Sequence, residues 1–401
     1  MRVLLVHNFY QLPGGEDRIV REEFDMLARA GIVVDLFSVH NDEIKGVYGS
    51  LGAGLQVIYH RRARQELAEA LKKFAPDVVH IHNFFPRLSP SILDACQAAG
   101  VPTVMTLHNF RILSPGALLH PSERVPGRDL RRACWWTVPR RVYRNSAAAT
   151  LAVAAMIEFH KWAGTWNRKV SRFVALTQWG KERFVEGGLP ADRIVVKPNC
   201  VARPPVFGAG NRRGGLFVGR LDEAKGIRTL LSAWRQCPYP LKIIGDGPLN
   251  TLVKQHAGGE LSYLGPQPRE VVQREMRTAK FLVLPSSAPE MFPVAVIEAF
   301  SNRLPVICSD LPALEHVVEV GVTGLKFAAE DAEGLARHTA WAVAHSTALD
   351  DMGCRAGQVY EARYTPEVNV ARLTEIYTAA MEAAPANRRS HLRALVPLPR
   401  R

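Results

Sequence analysis

The feature that most constrains this chain is an alternation that runs through it twice. Short apolar runs rich in β-branched residues alternate with longer amphipathic stretches of helical period. In the first half the runs are Val3–His7, Val33–Val39, Val78–His82, Thr103–His108, Phe173–Thr177 and Ile194–Pro198. Helical patterns such as 17–30 and 61–74 lie between them. Strand, helix, strand in sequence predicts parallel sheets covered on both faces, because a parallel crossover returns the chain through a helix. The second half repeats the rhythm with Gly215–Gly219, Leu241–Gly245, Phe281–Pro285, Pro305–Ser309 and Gly324–Phe327. Between the halves, 198–215 holds Pro198, Pro204, Pro205 and four glycines, and reads as a linker. The expectation is an α/β chain of two doubly wound domains facing across a cleft, 1–200 and 201–365. A helix at about 366–382 packs back on the first, and a basic tail follows at 387–401. A length of 401 residues suits two cores. Ligands of such sheets sit at the carboxyl ends of the strands.

Composition narrows the class. Hydrophobic residues make up 47% and charged residues 22%, which excludes a mainly disordered chain, and no coiled-coil or collagen period is present. The longest charge-free runs are 95–110, broken by Gly100 and Pro102, and 145–157. Neither reaches the ~20 apolar residues of a membrane-spanning helix. Met-Arg-Val-Leu-Leu-Val-His at the start reads as a buried strand and not as a signal peptide. Cysteines at 96, 134, 200, 237, 308 and 354 have no metal or redox spacing, and read as reduced cytoplasmic thiols.

The net charge of +13 calls for an anionic neighbour: nucleic acid, an anionic membrane surface or a phosphorylated substrate. The tail carries Arg388, Arg389, Arg393, Arg400 and Arg401 with no acid. It reads either as a solvated, disordered tail or as a membrane contact, at roughly 1 kcal/mol per basic residue near anionic lipid.

Several chemistries lack their motif. There is no G-x-x-x-x-G-K-[ST], no G-x-G-x-x-G after the first strand, no G-x-S-x-G and no H-E-x-x-H. There is no D-x-D either. A chain without clustered carboxylates must neutralise any bound diphosphate without a divalent metal.

The segment from Ser286 to Phe300 carries chemistry instead. It follows the strand Phe281–Pro285. Pro293 fits the first helical position, which puts Glu290 on the preceding loop and Glu298 inside the helix. Apolar neighbours surround Glu298, so its carboxylate needs strong donors. Sugar or ribose hydroxyls would serve, as would a buried Arg or Lys. The free amides at the helix start suit phosphate.

Glu290 and Glu298 form an E-x7-E pair that resembles the signature of the retaining family-four glycosyltransferases of the GT-B fold. Further segments are similar to that family in order: Phe217-Val-Gly-Arg220 through Lys225-Gly226, Ile244-Gly245-Asp-Gly247-Pro, Pro305 to Ser309, and Gly321 to Leu325. In the first half Gly14-Gly15-Glu16, Asp77 to Asn83, Thr106-Leu-His108-Asn109 and Lys197-Pro-Asn199 match as well. The similarity covers about residues 1 to 380.

The resemblance implies two Rossmann-like domains and a nucleotide-diphosphate sugar as donor, with no metal and no cofactor. Arg220 and Lys225 would hold the diphosphate, and Gly245 would lie in the turn beside it. Glu298 would bind ribose hydroxyls and Glu290 the transferred sugar, beside the backbone of Phe292 and Pro293. Gly14, Gly15 and Glu16 would let the first loop approach the donor from the other domain. His108 would lie by the reacting centre. Read from the residues alone, His7, His82 and His108 each end a strand, so a three-histidine metal site is the rarer alternative. His80 and His82 read as packed, or as lining the acceptor side. The implied acceptor is a glycan or lipid-linked hydroxyl in surface polysaccharide assembly, reached from the cytoplasm or from the inner face of the membrane. No nucleic-acid partner is implied.

Three departures stand out. Met291 replaces a small residue, Arg303 replaces a helix-ending glycine at a cost of ~1 kcal/mol if left-handed, and 112–145 lacks a clear period. With Trp135, Trp136 and several arginines, 112–145 reads as an acceptor-binding loop, a membrane-facing loop or a surface excursion. The other classes in play are a nucleotide-sugar epimerase on the same scaffold, a basic nucleic-acid-binding protein, and a donor-binding subunit without activity.

Overall fold

A computed structural model describes residues 1–11, 15–41, 51–117, 130–204, 212–288 and 290–383. Gly14 and the tail 387–401 therefore lie outside the described residues, as does part of 112–145. The chain divides into two compact units, Met1–Pro198 with the chain from Val370 on, and Asn199–Asn369.

The first unit holds one parallel sheet of six strands: β1 (Arg2–Phe9), β2 (Val33–His40), β3 (Val78–Asn83), β4 (Thr103–Leu107), β5 (Arg172–Ala175) and β6 (Ile194–Val196), in the order β2-β1-β3-β4-β5-β6. β3 and β4 are buried along their whole length, as strands between two helical layers should be. Helices run over Gly15–Arg29 and Arg61–Phe74, close to the periodic stretches.

The second unit has its own parallel sheet: β7 (Gly215–Val218), β8 (Leu241–Ile244), β9 (Leu261–Gly265), β10 (Phe281–Leu284), β11 (Val306–Ser309) and β12 (Gly324–Phe327), ordered β12-β11-β10-β7-β8-β9. Its core gathers Phe217, Ile243, Phe281, Val283 and Ile307 under the helix Ile227–Trp234. β9 is absent from the sequence reading. It is a sheet-edge strand with one buried residue in five, so it has no apolar run to betray it. The helix Pro366–Glu382 starts in the second unit and ends in the first.

Both strand orders reverse direction at one place. In the first sheet the chain turns outward on either side of β1 and β3, and in the second on either side of β7 and β10. At such a switch point the loops leaving neighbouring strands diverge and leave a crevice.

Among the described residues, no helix is long and apolar enough to cross a membrane. All six cysteines are free.

Candidate functional site

In the second unit, the loops after β7 and β10 meet. Gly226 has φ +67°, and a Cβ there would lie 1.7 Å from the Pro285 carbonyl oxygen, so only glycine lets the two backbones touch. Ser287 N donates to Ala224 O at 2.9 Å and Ser287 Oγ to Glu223 O at 2.8 Å. This crossing brings Lys225 Nζ to 2.5 Å from Glu290 Oε2. Ser286 Oγ donates to the other oxygen, Oε1, at 2.9 Å. Arg220 Nε contacts Asp222 Oδ2 at 3.0 Å, with the Arg220 side chain 69% exposed. Asp222 Oδ1 accepts from Lys225 N at 3.0 Å and closes the turn that carries the lysine. The helix begins at Ile227, so Lys225 stands in the turn before it.

Gly245 joins the same end of the sheet. Its φ is +146°, and a Cβ would fall 1.8 Å from Gly219 O. Pro293 is the residue before the helix Val294–Ser301 and not its first residue; its φ of −80° and ψ of 95° are extended, while its carbonyl still accepts from Val296 N. Glu290 is on the loop and Glu298 is inside the helix, 5% exposed. Met291 and Phe292 are both buried.

Arg303 adopts the left-handed conformation, φ +52°. Leu304 N bonds to Ala299 O and Arg303 N to Phe300 O, the paired bonds of a Schellman cap. The chain makes room for a side chain there. Cβ atoms on Gly353 and Gly357 would lie 2.5 Å from Arg303 O and 2.7 Å from Arg303 Cγ. These two glycines, one turn apart, form the groove in which the arginine stem lies.

The first unit concentrates its polar groups at the carboxyl ends of β1, β3 and β4. Glu23 on the helix Gly15–Arg29 is 4% exposed. Its Oε1 lies 2.9 Å from His80 Nδ1 and 3.1 Å from His82 Nε2, and its Oε2 lies 3.6 Å from Lys197 Nζ. His80 also touches Tyr377 Oη (2.8 Å) and Thr106 Oγ1 (2.7 Å). His82 Nδ1 is 3.0 Å from His108 Nε2. Burial alone would raise the Glu23 carboxyl. The imidazoles of His82 and His80 and the ammonium of Lys197 more than reverse this, and hold it well below the usual carboxylate range.

These distances fix the tautomers along the chain of rings. Burial lowers His82 to about 4 and pushes His108 well below its ordinary value, so both are neutral at pH 7. The Glu23 carboxylate can only accept, so His82 donates from Nε2 and has its lone pair on Nδ1. His108 must then donate from Nε2, which leaves its Nδ1 as an acceptor. A small pocket beside it is lined by His82, Asn83, His108, Asn109 and Arg111 among others.

His7 takes no part in a three-histidine centre. Its Nε2 is 2.8 Å from Asp17 Oδ1, and its ring centroid is 6.5 Å from that of His82. Among the described residues, the atoms close enough to share an ion belong to Glu23, His80 and His82, within 4.8 Å of one another. The Lys197 ammonium already stands on the far oxygen of that carboxylate.

Glu16 accepts from Tyr10 Oη at 2.7 Å and from Asn109 Nδ2 at 3.0 Å, so it ties the loop after β1 to the loop after β4. Burial raises its carboxyl, against the pull of those two donors. Gly15 opens its helix, and among the described residues nothing lies within 4 Å of where a Cβ would be.

Glu23, Asp17 and Tyr377 were missed by the sequence reading. A signal for Glu23 existed. Ile19, Glu23, Met26 and Leu27 share one helix face, and three of the four are apolar, which marks the acid as buried.

Two family models cover most of the chain: a glycosyl transferase 4-like domain over residues 14–200 and glycosyl transferases group 1 over residues 212–345. The chain belongs to the group 1 glycosyltransferases. An uncharacterized glycosyltransferase of Methanocaldococcus jannaschii is 30% identical over 42% of this chain, which spans 47% of that relative. The phosphatidyl-myo-inositol mannosyltransferase of Mycolicibacterium smegmatis is 25% identical over 94% of this chain and 93% of its own length. Among solved structures, the Anabaena protein HepE in complex with UDP superposes with a TM-score of 0.67 at 16% identity, over 94% of this chain and all of that one. Two six-stranded parallel sheets with helices on their faces are the GT-B arrangement of this family's fold.

Proposed function

We propose that this chain is a retaining, metal-independent glycosyltransferase that moves a hexosyl group from a UDP- or GDP-linked sugar to an acceptor hydroxyl. The observation that carries the reading is the meeting of Lys225 and Glu290 at the switch point of the second sheet, with Arg220 exposed beside them. A ligand anion competes for the lysine and the arginine, and a ligand hydroxyl competes for the carboxylate. In the proposed reaction Arg220 and Lys225 neutralise the diphosphate as it develops charge, in the place of a metal. Glu290 takes hydroxyls of the transferred sugar beside the backbone of Phe292 and Pro293, and Glu298 takes the ribose. Gly245 belongs to the diphosphate side. His108 accepts a sugar hydroxyl through Nδ1.

The bond from the anomeric carbon to the phosphate oxygen breaks, and the acceptor oxygen bonds to the same face of that carbon. The acceptor proton goes to the departing phosphate. The acceptor in this reading is a glycan or lipid-borne hydroxyl at the inner face of the cell membrane, in line with the name of the mycobacterial relative.

Calorimetry with UDP, GDP, ADP and their common sugars, in the presence of EDTA, tests the donor site. Micromolar binding of one nucleotide is expected, reduced ~100-fold in Arg220→Ala and Glu298→Gln with folding intact. Wild-type affinity in both variants would refute the site. Binding that appears only with a divalent metal would refute metal independence.

A further inference from the structure

The helix Ala147–Trp162 has an unusual outer face. It carries no charged residue before Glu158. Its buried side holds Val153, Met156, Ile157 and His160. On the opposite side Leu151 is 49%, Phe159 43% and Trp162 83% exposed. At 3.6 residues per turn these three fall, with Ala155, within an arc of about 80°. A helix that is apolar on both faces needs a second apolar environment.

Both flanks of the stripe continue it. On one side lies the helix Leu51–Ile58, seated so that a Gly54 Cβ would be 3.6 Å from Ala152 Cβ, with His160 Nε2 2.8 Å from Ile58 O. That helix presents Leu55, 64% exposed. On the other side the short 3-10 turn Cys134–Thr137 is tied on by Cys134 N donating to Glu158 Oε1 at 2.8 Å and by Lys161 Nζ donating to Arg131 O. It presents Trp135, 45% exposed. Half of the exposed large apolar side chains among the described residues belong to this one surface.

The charged residues of the segment that carries it are nearly all of one sign, although Lys169 is paired with Asp94. Residues 130–169 hold six arginines, two lysines and one acid, Glu158, whose carboxylate is engaged as just described. Arg131, Arg132, Arg140, Arg141 and Arg168 are exposed, and Arg140 lies 4.9 Å over the Trp136 ring. A second copy of the same face would set these cations against each other. An anionic lipid surface complements them: apolar side chains enter the acyl boundary while cations stay with the headgroup phosphates.

We propose that the Leu151–Phe159–Trp162 stripe, flanked by Leu55 and Trp135, docks this chain on an anionic phospholipid membrane. The inference rests on the lipid-borne acceptor proposed above for its purpose, and gives that acceptor a landing surface. The proposal does not draw on the basic tail, because every residue named here precedes position 170.

The test is co-sedimentation of the full chain with phosphatidylcholine vesicles, with and without phosphatidylglycerol. Wild type should bind the mixed vesicles only. The triple variant Leu151→Ser, Phe159→Ser, Trp162→Ser should lose at least about tenfold in partition. The charge variant Arg131→Glu, Arg132→Glu should lose binding in the same direction. Thermal unfolding and nucleotide calorimetry should be unchanged in both variants. Wild type that ignores both vesicle types, or a triple variant that binds as wild type does, would overturn the proposal. A wild-type dimer that the triple variant converts to monomer would overturn it too, and assign the stripe to a second copy. Failure of wild type to bind any nucleotide would count against the transferase reading and leave the vesicle result standing.

Discussion

Each unit contains a lysine set against a glutamate near the switch point of its sheet, and the two pairs differ in everything but chemistry. Lys197 and Glu23 are 3.6 Å apart with side chains 2% and 5% exposed. Lys225 and Glu290 are 2.5 Å apart with side chains 24% and 26% exposed. The first pair is locked among His80, His82 and Tyr377, and every partner is part of the chain. The second pair sits on two loops, with Arg220 open to solvent beside it. A buried charge network fixes geometry and resists exchange, whereas a partly exposed pair can trade one partner for a ligand. The first unit therefore holds the imidazoles of His82 and His108 neutral and oriented. The second holds its charges ready.

Removing one acid from each pair should break the comparison most sharply. Glu23→Ala leaves Lys197 buried without its carboxylate, at an expected cost of about 3–5 kcal/mol in chemical unfolding. Glu290→Ala should move the same measurement by no more than about 1 kcal/mol. Equal losses in the two variants would show that burial does not separate the pairs.

Acid should act on the first unit in the same sense. His82 is lowered to about 4 in the fold by burial, against 6.5 ordinarily, so between these values the unfolded chain binds the proton and the folded chain does not. Stability should fall as pH drops from 6.5 toward 4, by roughly 3 kcal/mol for this group, with His108 adding in the same direction. Unfolding midpoints measured across this range, in wild type and His82→Leu, check the sign. A slope as steep in the variant would assign the effect elsewhere.

Arg303→Gly should give the smallest change. It relieves a left-handed arginine, a gain of ~1 kcal/mol, and loses the stem packed against Gly357. A net shift of under about 1 kcal/mol in thermal unfolding is expected. A larger loss would mean that the glycine groove has the greater weight.

Much of the fold was legible because period is a local property. Eleven of the twelve strands coincide with an apolar run, and β9 escaped because an edge strand need bury only one residue. Arg220, Lys225, Glu290 and Glu298 were singled out through the resemblance, by their order along the chain, and the structure puts Lys225 against Glu290. Glu23 was not singled out, since a glutamate within Arg-Glu-Glu-Phe-Asp resembles any solvated helix face unless its apolar neighbours are mapped around the turn. A shared centre of His7, His82 and His108 was the rarer alternative in the sequence, raised because each ends a strand. The structure separates them: His7 pairs with Asp17, while His82 and His108 share a hydrogen bond.

By itself, then, the sequence determined two parallel sheets, the loops that leave their strands and the family to which they belong, because each of these is written in spacing along the chain. The tertiary structure decided which charges are spent on the chain itself and which stay available. Burial and partner distance set that, and they depend on residues as far apart as His80 and Tyr377, which no local pattern connects.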